Sequence, residues 1–491
     1  MRRSARFVKA AGGGTILLVV LSANTALAQG MPGTREGGQG LAPPPVQVGS
    51  PGAAAGSPLL GGVPSGRPTP DTLRLTLADA ISRGLAHNLA AILGRQEVAA
   101  AGGARLAALS ALLPTVTGGV MESRQVINLE AYGIPLPAGT NPVVGPFDIF
   151  DARLSLSQSV FDLSAIGAAR AGAQAKAAAE ASYADARDAV VVVCANLYLR
   201  AVIGAGVVDA VRAQLKTAEA LHVQAVDMKA AGVVPGIDVL RADVRLQTER
   251  QRLIVAENEV AKQKLALARA IGLPLEQNFE LADTAPYATI AAKPLGDLLV
   301  EAYDRRSDLK SATAQLKAAE ATRQATIGEA LPSVRFMADF GDIGTNVSTA
   351  KATYTAGVQV RVPLFQGGRV RARLQQVDAG LAAERAMLED LRGRIEYEVR
   401  TAYLDLAAAD DRVKVAQRGV ELADQQLTQA KDRFAAGVAN NLEVVQAQEA
   451  VASVTDSYLS ALYAHNLAKL SLARALGVAE ESAGQYLGGL K

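Results

Sequence analysis

The side chains that most often carry chemistry are few in this chain of 491 residues. The three histidines, His87, His222 and His465, lie far apart, and no cysteine or carboxylate accompanies them at the spacing of a metal site. The sequence contains neither a phosphate-binding glycine loop nor a nucleophile elbow. Cys194 is the only cysteine, and its place on an apolar helical stripe predicts a small buried packing residue. We therefore predict no catalytic residue, no cofactor, no metal site and no enzymatic activity.

Two acidic residues stand at matching places in the two halves of the chain. Asp238 follows an Ala-Gly-Val motif at 231–233, and Glu443 follows the same motif at 436–438. Each lies in the first turn of a predicted helix, where a carboxylate caps free backbone N–H groups and complements the helix dipole. Their shared setting indicates that the elements around them are repeated.

The two Ala-Gly-Val motifs belong to a tandem duplication. Four pairs of landmarks recur in the same order, at offsets of 218, 204, 205 and 205 residues. Each half is therefore predicted to run helix, strand, strand, long helix, turn, helix. The pairs are Leu113-Pro114 with Leu331-Pro332, Val160-Phe161 with Leu364-Phe365, 231–233 with 436–438, and 268–272 with 473–477.

The fall in offset from 218 to 204 places a longer loop between the two strands of the first half. Residues 124–150 carry four prolines, which a central strand does not accommodate. The sequence predicts an exposed hairpin connection over that whole range.

Long coiled-coil helices are the strongest periodic signal. Apolar residues step alternately by four and three from Ile395 to Phe434, and a similar stripe runs from Val190 to Ala225. Helices over 165–231 and 371–436 would each extend about 100 Å, with shorter helices over 77–113 and 238–271 beside them. A composition of 49% hydrophobic but only 4% aromatic residues suits close helix seams.

The predicted strands alternate between apolar and polar residues. Residues 152–160, 334–340 and 358–362 follow this pattern clearly, and 115–124 follows it weakly. Strands of about ten residues with one apolar face are typical of a membrane barrel with a wet lumen. Four strands cannot close such a barrel, so the chain must oligomerise, and both two and three copies stay open on this argument. Phe161 and Phe365, at equivalent strand ends, either lie at a membrane interface or pack on helices.

The N-terminus resembles an export signal. Arg2, Arg3 and Arg6 precede an apolar run at 15–21 and a small-residue cleavage site at 26–28, although an uncleaved membrane helix is the alternative. Residues 29–72 contain 11 glycines and 9 prolines, which predicts a disordered linker. No cysteine follows the cleavage site to take a lipid.

A formal net charge of +2 provides no field to recruit nucleic acid.

These features together resemble the TolC family of outer-membrane efflux and secretion channels over about residues 73–480. The motifs that carry the resemblance are the tandem repeat, the two Leu-Pro strand entries, the Pro-Leu-Phe-Gln-Gly-Gly strand exit at 363–368, and the two Ala-Gly-Val tips. The resemblance implies an α+β membrane protein, a homotrimer whose four strands per protomer form a twelve-stranded barrel in the outer membrane of a Gram-negative bacterium. Its coiled coils would form a periplasmic α-barrel. The implied partners are outer-membrane lipid, a periplasmic adaptor and an inner-membrane RND or ABC pump.

The family resemblance also assigns candidate residues at the helix tips. Glu443 matches the first position of an inward-facing acidic ring at the entrance, whereas Gln446 replaces the second acid. Asp238 is either a further pore-lining charge or a plain helix cap. Ala439 replaces an arginine that bonds neighbouring tips in some members. The surface expected to meet the adaptor comprises Gly232, Val233, Gly437 and Val438.

The predicted organisation is a signal peptide at 1–28, the linker at 29–72, a first repeat at 73–275, an inter-repeat equatorial segment at 276–293, a second repeat at 294–480 and a tail at 481–491. The predicted function is the passive exit duct of a tripartite efflux or type I secretion system. A periplasmic adaptor protein and a soluble coiled-coil scaffold are the alternatives.

Overall fold

The computed structural model describes residues 57–137, 139–283, 287–289, 293–436, 438 and 441–486. The predicted signal peptide, residues 29–56 of the predicted linker, and the end of the predicted tail lie outside these ranges. The first half comprises β1 (Leu73–Leu75), α1 (Leu77–His87), α2 (Leu89–Ser110), β2 (Thr115–Asn128), β3 (Val143–Phe161), α3 (Leu163–Ala230), α4 (Gly236–Ala270) and β4 (Phe279–Leu281).

The second half repeats the central order of two helices, two strands and two helices. It comprises α5 (Leu295–Arg305), α6 (Ser307–Gly328), β5 (Ser333–Gly344), β6 (Lys351–Arg361), α7 (Arg369–Ala435), α8 (Asn441–Ala475) and α9 (Ala479–Tyr486). Gly272 and Gly477, which close the two halves at matching positions, both adopt the left-handed conformation, with φ of 63° and 70°. The predicted duplication is confirmed at the level of backbone conformation.

The long seams of α3 and α7 are buried as the 3.5-residue period predicts. α3 packs along α4, and α7 packs along α8. At 68 and 67 residues, each long helix extends about 100 Å. The seam residues that are fully covered include Val190, Cys194, Val208, Val211 and Ala225 in α3 and Ile395, Val399, Val413, Ala423 and Phe434 in α7.

One helix in the described ranges, α3, is apolar enough by length and composition to cross a membrane. Within its most apolar 18-residue window, 44% of the residues are buried against other parts of the chain. Val190, Cys194 and Tyr198 fill the first-half core there. We therefore assign the apolar character of α3 to helix packing.

The predicted single helix over 77–113 is wrong, because Asn88 interrupts it. Asn88 has an extended backbone (φ −65°, ψ 137°) and caps α2 by accepting from the Ala90 N–H at 2.9 Å. Its buried amide donates to the carbonyls of Leu59 and Ala270 at 2.8 and 3.0 Å. These hydrogen bonds stabilise a break in the helix that the apolar pattern does not predict.

Residues 57–72 are packed rather than disordered, which corrects the predicted linker at its C-terminal end. Leu59 contacts the first-half core, and Gly62 bridges to Asn88. The Thr69 N–H donates to Gln277 Oε1 at 2.7 Å. Apolar burial and hydrogen bonds to the first repeat thus offset the conformational entropy that this glycine- and proline-rich segment loses when it becomes ordered.

The strands form one antiparallel sheet in the order β2-β3-β5-β6. β2 and β3 extend well into the range 124–150, so the prediction of a loop over that range is wrong. Only residues 129–142 connect the strands. Pro146 lies in β3 beside a register shift between Gln125 and Ile127, where ladder hydrogen bonds are interrupted and its missing N–H is not needed.

The sheet has one apolar face and one polar face, as the alternation predicts. Val116, Leu154, Phe340, Tyr354 and Val358 lie on the apolar face and are each more than half exposed. Arg153, Ser155, Arg335, Asp339 and Gln359 are among the residues of the opposite face. Phe365, just beyond β6, is 90% exposed and therefore does not pack on a helix of its own chain.

Candidate functional site

The first helix tip is a tight turn that requires glycine. α3 ends at Ala230, and Gly232 follows with a φ of +73°. The Val233 N–H then donates to the Met228 carbonyl at 2.8 Å, which satisfies a carbonyl left free at the helix end. This conformation leaves the Val233 side chain 60% exposed at the extremity of the hairpin.

The second tip repeats this geometry as far as the structure describes it. The Val438 N–H donates to the Arg433 carbonyl at 3.1 Å, and Val438 is 69% exposed. Gly437 and Ala439 lie outside the described residues. Both valines of the predicted adaptor surface are therefore presented outward.

A small apolar cluster lies directly beneath the two tips and joins the hairpins. It links α3, the turn before α4, α7 and α8. Phe434 at its centre is 1% exposed. The members are Leu221, Ala430, Phe434, Val444 and Ala447, with Met228, Val234 and Leu427 packed around them. The tips consequently share one support.

Asp238, predicted as a pore-lining charge or a helix cap, is buried at the start of α4. Its side chain is 7% exposed, and its carboxylate lies 3.2 Å from Arg241 Nη1. A carboxylate in the first turn also complements the helix dipole. This position favours the helix-terminal role, because the charge is covered and paired within its own helix.

Glu443 is the equivalent residue of α8, and it is more accessible. Its side chain is 43% exposed, and Oε1 lies 3.3 Å from Nε of Arg433 across the turn. Gln446 is exposed one helical turn further along α8. Glu443 and Gln446 therefore share a face near the tip, as predicted, but the acid is held beside an arginine.

Sequence reasoning missed both arginines. Gln446 is the counterpart of Arg241 at the offset of 205, and Arg433 is the counterpart of Met228. Each half thus pairs its tip carboxylate with a guanidinium supplied from a different place, the same helix in one half and the facing helix in the other. Aligning the two halves position by position would have revealed the exchange.

A buried ionic network above the tips was also missed. Glu249 of α4 is 1% exposed and lies 2.7 Å from Arg245 Nη2 and 3.4 Å from Arg252 Nη1. Arg252 reaches Asp456 of α8 at 2.9 Å, and Arg245 approaches Glu449 of α8 at 3.6 Å. The network therefore ties the α3–α4 hairpin to α8. Its signal in the sequence is the spacing of three and four residues between the charges.

An apolar groove runs between α4 and α8 next to the tips. It encloses about 380 Å³ and is lined by Ile237, Leu240, Val244, Leu442 and Val445, with polar atoms from Arg241, Arg245, Thr248 and Glu449. Ile237, Leu240 and Val244 are each at least half exposed. This arrangement can receive an apolar surface bordered by charge, but it contains no nucleophile paired with a base.

Cys194 has the properties of a packing residue. It is fully buried in the first-half core against α1. Burial raises the pKa of its thiol to about 12, because the thiolate would lose its hydration. Within the described ranges, no group of three or more histidine, cysteine, aspartate or glutamate side chains is arranged to hold a metal ion.

Known proteins resemble this chain along both halves. The family model for outer membrane efflux proteins matches residues 81–273 and 298–478. The pyoverdine export outer membrane protein OpmQ of Pseudomonas aeruginosa is 26% identical over 50% of this chain and 52% of its own length. Outer membrane protein TolC of Escherichia coli is 23% identical over 67% of this chain and 70% of its own length. The alignment thus spans about half of the first relative.

Solved structures share the fold. The outer membrane protein VceC of Vibrio cholerae superposes with a TM-score of 0.71 at 21% identity, covering 82% of this chain and 96% of that one. The CmeC outer membrane channel of Campylobacter jejuni gives 0.73 at 16% identity, covering 87% and 94%.

These similarities exclude a periplasmic adaptor, which was the main alternative, and confirm the resemblance to the TolC family. A soluble scaffold is excluded with it, since both matched segments include the strands of the sheet as well as the coiled coils. The chain belongs to the outer membrane efflux protein family.

Proposed function

We propose that this protein is the outer-membrane exit duct of a tripartite efflux or type I secretion system and conducts its cargo passively. The observation that carries the proposal is the join between an amphipathic four-stranded sheet and coiled coils about 100 Å long. The sheet suits a membrane, and the coiled coils suit the space between two membranes.

The apolar face of the sheet supports the assignment to a lipid bilayer. Val120 and Tyr354 on this face are 75% and 79% exposed. A soluble protein would not leave so many large apolar side chains on one sheet face in water. Outer-membrane lipid is the environment in which this face is stable.

The edges of the sheet support assembly with further copies. β2 and β6 are edge strands in the described part of the chain. An unpaired edge in lipid would leave backbone N–H and C=O groups without partners, so each edge must meet another chain. We propose a homotrimer in which twelve strands close one barrel.

The helix tips are the proposed entrance. Glu443, with Gln446 one turn away, would line the constriction, and the surface formed by Gly232, Val233, Gly437 and Val438 would receive a periplasmic adaptor. The exposure of Val233 and Val438 supports this docking role. An RND or ABC pump in the inner membrane would deliver the cargo. One relative is named for pyoverdine export and another for alkaline protease secretion, which supports a role in either efflux or secretion.

Cell fractionation followed by planar-bilayer recording tests this proposal. We expect the protein in the outer-membrane fraction as a detergent-stable oligomer that forms ion-conducting channels after purification. A periplasmic monomer that never conducts would refute it.

A further inference from the structure

The polar face of the sheet, far along the coiled coils from Glu443, carries an excess of positive charge. Two acidic side chains and four basic ones belong to this face by strand register. The acids are Asp151 and Asp339, and the bases are Arg153, Arg335, Lys351 and Arg361.

Both acids of this face are committed to one arginine. Arg153 Nε lies 2.6 Å from Asp151, and Arg153 Nη1 lies 3.0 Å from Asp339. This cluster sits in the middle of the sheet. The other three bases of this face therefore have no acidic partner in this cluster.

Arg335 and Arg361 stand together at the end of the sheet nearest the coiled coils. Arg335 pairs in register with Ser159 on one side and Gln359 on the other, and Arg361 pairs with Ser333. The two arginines are thus diagonal neighbours on one face, about 7–8 Å apart at the backbone. Both are exposed, and neither has an ion-pair partner among the residues that the structure describes.

The acids that flank this end of the sheet are already engaged. Asp162 caps α3 by accepting from the Ala165 N–H at 3.1 Å, and Glu329 lies 2.7 Å from Arg373. Asp339 is four residues from Arg335, which is about 13 Å along a strand. That distance exceeds the screening length of about 8 Å at physiological ionic strength.

A neighbouring copy would not neutralise this pair. When a barrel closes, β6 of one copy meets β2 of the next. The polar-face residues of β2 are Thr115, Thr117, Gly119, Met121, Ser123 and Gln125, none of which is charged. Each copy would therefore add two uncompensated guanidinium groups to one level of the lumen.

We propose that Arg335 and Arg361 form an anion-selecting ring at the base of the membrane barrel, so that the duct favours anionic cargo over cationic cargo. The inference rests on the proposed function, because only a closed barrel turns the polar face into a lumen. It places a selectivity element at the opposite end of the coiled coils from Glu443.

The test is the reversal potential of the purified full-length oligomer in a tenfold KCl gradient across a planar bilayer. We expect the wild-type channel to favour chloride. Arg335→Gln combined with Arg361→Gln should lower the chloride-to-potassium permeability ratio about twofold to fourfold, because unit charges several ångströms from a permeating ion change its local concentration by about that factor. The effect should shrink in molar salt, where the screening length is about 3 Å.

Arg124→Gln is the matched control. This substitution removes one positive charge from the same sheet, whereas the double variant removes two, and the register of Arg124 with Asp148 places it on the opposite face. This variant should keep the wild-type permeability ratio. Conducting channels whose ratio is unchanged in the double variant, or lowered equally by Arg124→Gln, would overturn the anion ring alone. A protein that forms no channel would overturn the proposed duct itself.

Discussion

Asn88 and Arg306 occupy equivalent positions in the two halves and bind equivalent backbone carbonyls. Asn88 Nδ2 donates to the carbonyl of Ala270 at 3.0 Å, and Arg306 Nη1 donates to the carbonyl of Ala475 at 3.3 Å. Each residue breaks its helix with an extended backbone, and each is buried. Both halves therefore keep a buried side chain that breaks the helix and donates to this carbonyl, although the residue type differs.

Replacing Asn88 with alanine should destabilise the first repeat. The substitution leaves the carbonyls of Leu59 and Ala270 without their donor and removes the α2 cap. We expect a loss of about 2 kcal/mol, measured as the free energy of unfolding in detergent. Asp79→Ala, which removes only an exposed capping partner of Thr76, should cost less. Equal losses from the two variants would contradict the role of Asn88.

Because Lys469 is buried, we expect the free energy of unfolding to depend on pH. It is fully buried in α8, and its Nζ has no hydrogen-bond partner in the described part of the chain. Burial lowers its pKa from 10.5 to about 8, although Asp410 opposes the shift. Between these values the unfolded chain holds a proton that the folded chain has released, so stability rises with pH in that window.

Lys469→Met should therefore stabilise the protein by about 2–3 kcal/mol below pH 8, and the gain should disappear as the pH approaches 10.5. Lys264 is the matched control, because it occupies the equivalent position but donates to the Phe279 carbonyl at 3.2 Å. Lys264→Met should destabilise by about 1 kcal/mol. Unfolding curves across pH measure both effects, and a destabilising Lys469→Met would disprove the interpretation.

Gly84 lies where α1 packs closely against α3. A Cβ at this position would collide with Sγ of Cys194 and contact Val190. Gly84→Ala should cost about 1–3 kcal/mol through overpacking. Adding Cys194→Ala should recover part of that loss in a double-mutant cycle. Strictly additive effects of the two substitutions would show that the side chains do not meet.

The charge of Glu443 should influence ion flow at the entrance. Glu443→Gln is expected to reduce single-channel cation permeability, because its partly exposed carboxylate adds negative charge near the tip. Asp238→Asn should leave permeability unchanged, since that carboxylate is covered and paired with Arg241. Planar-bilayer recordings of the two variants provide the comparison. Identical behaviour of wild type and Glu443→Gln would remove Glu443 from the constriction.

The exposed tip valines should be required for transport but not for assembly. Val233→Asp combined with Val438→Asp places charge on the surface proposed to meet the adaptor, and we expect transport in cells to be lost while the oligomer persists. Val347→Asp is the control, because Val347 is 73% exposed in the β5–β6 connection far along the chain from the tips. Transport retained by the tip variant would exclude this surface as the docking site.

Periodic features of this fold were predictable from the sequence, and local exchanges were not. The seam from Ile395 to Phe434 follows a strict apolar period, so its burial could be read directly. The break at Arg306 has no such signal, because one polar residue within a helical pattern is ordinarily solvated. Its ion pair with Asp308 is local, but its ion pair with Glu398 depends on tertiary placement.

The candidate site shows the same division. The first-turn positions of Asp238 and Glu443 followed from the repeat, as did the exposed turns beside them. Arg241 lies three residues after Asp238 on the same helix, so this pair could have been read from the spacing. Arg433 reaches Glu443 across a turn, and that pair depends on tertiary placement. The strands beyond residue 124 were missed because proline was weighed without the bulge that accommodates it.

Native mass spectrometry of the species extracted from outer membranes with detergent tests the central claim most directly. We expect a complex of three copies: the two open edges of each four-stranded sheet require further copies, and the resemblance to the TolC family implies twelve strands in the closed barrel. A single copy that remains monodisperse in the same detergent, with β2 and β6 unpaired, would contradict it.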